Sequence, residues 1–160
     1  MTSTFSDVPR DERRYEDYQP GVAGTYGPIG VSGDEIFGFA TKFDPQPIHV
    51  DDAAAAAGPF GGIIASGWHT ASLMMRLYVD NFISHTASLG GPGVDELRWT
   101  APVRADDRLT LHVTVLEARP SRSKPDRGLI RTRCEVTNQD DLVVLTCTVM
   151  NIVRRRDDTA

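Results

Sequence analysis

The chain has 160 residues, 40% of them hydrophobic, and a formal net charge of −5. That is enough apolar matter for one globular domain with a real core. A net acidic chain with no basic block before Arg154-Arg155-Arg156 argues against a nucleic-acid binder, and no apolar run approaches the span of a bilayer.

Residues 1 to 16 are polar and charged, so a flexible N-terminal tail is expected there, followed by a single domain over 17–155. The tail lacks the apolar centre of a signal peptide, which points to a cytoplasmic protein. Val22 to Val31 reads as a weak strand, interrupted by Gly24, Gly27 and Pro28. Ser32 and Glu35 have capping-box spacing and open a helix that Pro45 and Pro47 end soon after Phe43. Asp51 to Gly58 reads as a second, short helix with acids at its positive end and glycine at its C-cap.

After the glycine-rich stretch Pro59 to Ala65, Ser66 is placed to cap a third helix running from Gly67 to about Phe82. Its apolar residues, from Trp68 through Met74, Met75 and Leu77 to Phe82, cover most of the circumference, which predicts a buried helix. From Val94 on, the pattern changes to period two. Strands are expected over Val94 to Thr100, around Leu109 to Val115, around Ile130 to Val136, and over Leu142 to Val153, with a hairpin turn at Asn138 to Asp141. Cys134 and Cys147 lie inside two of these strands and read as small buried hydrophobes. No His/Cys cluster has metal-ligand spacing. An α+β domain follows, a curved antiparallel sheet wrapped around one buried helix. Its open sheet edges favour a dimer.

Two segments carry chemistry. In Phe43-Asp44-Pro45-Gln46-Pro47-Ile48-His49 the prolines stiffen a loop that holds a carboxylate and an imidazole five residues apart. Spacing alone also fits a helix-ending turn with Asp44 as a local cap. In Ala65-Ser66-Gly67-Trp68 a glycine at a helix start offers backbone N–H groups to a developing oxyanion, or simply permits close packing.

Together, Asp44, His49, Asp51 and the Ser66-Gly67 step eighteen residues beyond His49 resemble the signature of the MaoC-like, or R-specific enoyl-CoA hydratase, family. Gln46 departs from the asparagine often found there, which bears on substrate preference. The resemblance implies a hotdog fold, at least dimeric, acting on enoyl or 3-hydroxyacyl thioesters of coenzyme A or an acyl carrier, with no cofactor beyond the substrate's own carrier. It implies Asp44 and His49 as the water-activating pair, Gly67 as the oxyanion donor, and Gln46, Ser66 and Trp68 as substrate-binding residues. His69, next on the helix, is expected in the core. A hotdog thioesterase and a non-catalytic acyl-thioester binding subunit are the competing expectations.

Overall fold

The computed structural model describes residues 3–4 and 7–156. Residues 1–2 and 5–6 of the expected tail, and 157–160, lie outside the described residues. Six strands form one sheet in the order β1-β2-β4-β5-β6-β3, with β1 (Ser3–Thr4), β2 (Val22–Gly30), β3 (Val94–Trp99), β4 (Arg108–Pro120), β5 (Arg127–Thr137) and β6 (Val143–Arg154). All pairings are antiparallel except the two-residue pairing of β1 with β2. The weakness of the first long strand in sequence has a structural counterpart, a register shift between Tyr26 and Ile29 where Gly27 and Pro28 interrupt the ladder.

The period-two pattern places Leu109, Leu111, Val113 and Val115 of β4 on one buried face. In register, Val113 faces Cys134, which faces Cys147, so the two free thiols sit side by side in the core. Against this face lies α4 (Gly67–Asn81), with Met74, Leu77 and Tyr78 buried and the Cys147 thiol 3.5 Å from the Met74 sulfur. This is the expected hotdog arrangement. The helix is less enclosed than its composition predicts, however. Trp68 is 58% exposed and Met75 36%, because the sheet covers one side of α4 and leaves a strip of the other open.

Before α4 come α1 (Gly33–Phe43), α2 (Pro47–Val50) and α3 (Asp52–Ala57). The capping box at α1 forms as expected: the Ser32 hydroxyl accepts from the Glu35 N–H at 3.1 Å and the Glu35 carboxylate accepts from the Ser32 N–H at 3.3 Å. The turn α2 falls where only a stiff loop was expected. Pro47 sits at its first position, where a fixed φ and a missing N–H cost nothing.

The expectation of a flexible tail through residue 16 is corrected from Asp7 onward. Arg13 is buried, and its Nη1 donates to the carbonyls of Asn81 and Phe82 at 3.0 and 2.8 Å, closing the C-terminal end of α4. The Tyr15 ring occupies the space where a side chain on Gly128 would begin. Composition missed this because the anchor is one arginine and one tyrosine rather than an apolar run.

Candidate active site

Pro45 stops α1, so Asp44 becomes its C-cap residue and its side chain leaves the helix at a fixed point. Pro47 then starts α2, and one turn brings His49 back over Asp44. The His49 Nε2 lies 3.3 Å from Asp44 Oδ2, with only 5% and 18% of the two side chains exposed. The other imidazole nitrogen, Nδ1, is 2.7 Å from the Ile64 carbonyl oxygen. A carbonyl can only accept, so Nδ1 carries the hydrogen, and Nε2 is the nitrogen that faces Asp44.

Both oxygens of Asp44 are held. The Gln46 amide donates to Oδ1 at 2.7 Å, and the Ser66 hydroxyl donates to Oδ2 at 2.7 Å. These bonds, Gln46 first and Ser66 next, keep the Asp44 carboxyl below the ordinary carboxylate range against the opposing effect of burial. Ser66 is fully buried at the N-cap of α4, yet its hydroxyl makes no capping bond. The expectation that it caps the helix is corrected: Asp44 takes the hydroxyl instead. Gln46, expected to touch substrate, holds the carboxylate here.

A cavity of about 260 Å³ adjoins the pair, lined by His49, Phe60, Ile64, Gly67, Thr70 and Trp99 among others. Gly67 is the first residue of α4, and its N–H meets no acceptor among the described residues, which leaves the positive end of a fifteen-residue helix open toward the cavity. The Trp99 indole covers the other side of this glycine. A Cβ built on Gly67 would lie 2.5 Å from Trp99 Cδ2 and 2.8 Å from Nε1. Trp68 is not among the residues lining the cavity; it stands half out of the surface, edge-on to Trp99 at 5.2 Å between ring centroids. His69 is buried as expected, stacked on Phe39 at 5.0 Å, with its Nδ1 unpaired.

The structure therefore gathers Asp44, Gln46, His49, Ser66 and Gly67 at one place and leaves Trp68 aside. Sequence reasoning missed the Ile64 carbonyl and Trp99. The first is a backbone atom and leaves no mark in composition. The second sits at the end of β3, where an aromatic residue reads only as strand. Among the described residues no cluster of His, Cys, Asp and Glu could hold a metal ion, and no helix is long and apolar enough to cross a membrane.

The family model for the MaoC like domain matches residues 21–138. The chain is 32% identical over 127 residues to the uncharacterized protein YdeM of Bacillus subtilis, covering 79% of this chain and 89% of that one. It is 32% identical over 119 residues to a 3-hydroxybutyryl-CoA dehydratase of Methylorubrum extorquens, covering 71% and 68% respectively. Among solved structures, a MaoC-like dehydratase from Rhodospirillum rubrum superposes with a TM-score of 0.84 at 39% identity, over 90% of this chain and 98% of that one.

Proposed function

The chain belongs to the MaoC-like domain family, and from that premise we propose that it adds water to an enoyl thioester, or removes it from the 3-hydroxyacyl thioester, with coenzyme A or an acyl carrier as the thiol. One observation carries the reading: an ionised carboxylate and an imidazole Nε2 stand 3.3 Å apart beside a cavity that also receives an unpaired helix N-terminal N–H. The similarity to a 3-hydroxybutyryl-CoA dehydratase supports it.

In the proposed mechanism a water molecule donates one hydrogen to Asp44 and one to His49 Nε2. Sequence alone suggests Asp44 as the base. Gln46 and Ser66 hold its pKa low, which makes it a poor proton acceptor but a constant negative anchor. The proton then passes to His49 Nε2 as the water oxygen bonds to C3 of the enoyl group. Electrons move onto the thioester oxygen, which accepts from the Gly67 N–H. The imidazolium Nε2–H returns its proton to C2, so one water is added and the enzyme is restored. Elimination runs the same steps backward.

The reading includes self-association into a homodimer. Strand β3 ends the sheet as an open edge, with Val94 and Trp99 46% and 44% exposed, and a second copy paired there would cover both.

The test is a panel of trans-2-enoyl-CoAs of increasing length, following loss of the enoyl absorbance and release of free thiol in parallel. Enoyl loss without thiol is expected. Thiol release would replace this reading with a thioesterase, and neither signal with a binding subunit.

A further inference from the structure

An oxygen that gains charge is usually met by two donors rather than one, and Gly67 supplies a single N–H. Trp99 is the neighbour placed to supply another. In a helix the Cβ direction tilts toward the N-terminus. A ring packed where the Gly67 Cβ would stand therefore lies at the open end of α4, beside its free N–H. Trp99 Nε1 is 2.8 Å from that built Cβ. Standard backbone dimensions then bring Nε1 to within about 5 Å of the Gly67 nitrogen. Two N–H groups that share one acceptor at roughly 2.9 Å each span at most about 6 Å between their nitrogens.

Both donors are free. Among the described residues neither the Trp99 indole N–H nor the Gly67 N–H has an acceptor, and both residues line the cavity that holds His49.

We propose that Trp99 is a second catalytic donor, its indole N–H hydrogen-bonding the thioester oxygen alongside the Gly67 N–H. This rests on the hydratase reading above. It also gives Gly67 a second reason to be glycine, since any side chain there would displace the donor ring.

The chain has two tryptophans, so a ¹⁵N-labelled sample gives two indole N–H resonances, assigned with Trp68→Phe. The probe is butyryl-CoA, a saturated thioester that cannot be hydrated. On titration the Trp99 resonance is expected to move downfield, while that of Trp68, which only touches the Trp99 ring, moves much less. In parallel, Trp99→Phe keeps an aromatic side chain, though a smaller one, and deletes the donor. Its kcat on the best enoyl-CoA is expected to fall about tenfold to a hundredfold with KM changed less than about threefold, the pattern of an interaction made mainly in the transition state. An unmoved Trp99 resonance overturns the proposal even if the variant is slow, because the loss is then one of packing. Wild-type kcat in Trp99→Phe overturns it as well. A wild-type protein inactive on every enoyl-CoA defeats the hydratase reading instead, while the titration, which needs no turnover, still reports the contact.

Discussion

Replacing Gly67 by alanine sets two known effects against each other. Alanine in place of glycine inside a helix gains up to about 1 kcal/mol. Against this, the new methyl would stand 2.5 Å from Trp99 Cδ2, where carbon atoms normally approach to about 3.5–4.0 Å. The indole must retreat by roughly 1 Å, and overpacking of that kind costs about 1–3 kcal/mol. Setting the middle of that range, about 2 kcal/mol, against the helix gain leaves about 1 kcal/mol of destabilisation. For a domain of this size that lowers Tm by about 2–4 °C in a thermal melt. The decisive sample is the double variant. With Trp99→Ala in the background the obstacle is gone, and Gly67→Ala should now raise Tm relative to Trp99→Ala alone. If Gly67→Ala stabilises the wild-type protein, or its effect keeps the same sign in both backgrounds, the packing of Trp99 on Gly67 is not what fixes glycine at this position.

Asp44→Asn and His49→Gln should each lower turnover by about a hundredfold or more with folding little changed, judged by steady-state kinetics beside circular dichroism; near-normal activity in either removes that residue from the mechanism. Gly67→Pro deletes the N–H but brings a Cβ into the same indole, so it is best made on Trp99→Ala, where it should cost roughly a further hundredfold in kcat if that N–H meets the oxyanion. Burial lowers the pKa of His69, with Glu35 opposing the shift. A depressed histidine pKa means that the unfolded chain binds the proton first, so this residue's contribution to stability is complete above about pH 6.5 and shrinks as pH falls. Denaturant titrations from pH 8 to 5 should show a shallower decline for His69→Phe than for the parent, and equal slopes would refute the assignment. Ser66→Ala frees Asp44 Oδ2 from a donor, so the carboxyl pKa should rise toward its ordinary value, measurable by ¹³C chemical shift against pH.

The sequence was most informative where the cause is local. The Ser32 and Glu35 pairing, Pro45 after Asp44, and the alternation from Leu109 to Val115 each act within a few residues, and the cap, the helix end and the strand formed close to where they were expected; the turn that Pro47 opens was not foreseen. Asp44 and His49 were legible for the same reason, since a short stiff segment contains both. What escaped reading depends on contacts across the chain. Ser66 has the composition of a cap, but a carboxylate twenty-two positions earlier competes for its hydroxyl and wins, because a charged acceptor makes the stronger bond. Arg13 looked like tail until the end of α4 offered it two carbonyls. The Ile64 carbonyl that fixes the imidazole has no side-chain identity at all.

If the chain hydrates an enoyl thioester as proposed, the way Asp44 is held bears on the handedness of the product. A carboxylate has about four lone-pair positions. On Oδ2 the Ser66 hydroxyl takes one and the imidazole stands against the other, while on Oδ1 the Gln46 amide takes one. The open position is on Oδ1, so the water is presented from one side only. In that reading a thioester oxygen held at the helix end, together with an acyl chain seated in the cavity beside His49, would keep the enoyl plane from turning over. The proposed hydration would then take place on a single prochiral face of C3 and give one enantiomer of the alcohol. Its handedness would then follow from where a glutamine and a serine leave a carboxylate unoccupied.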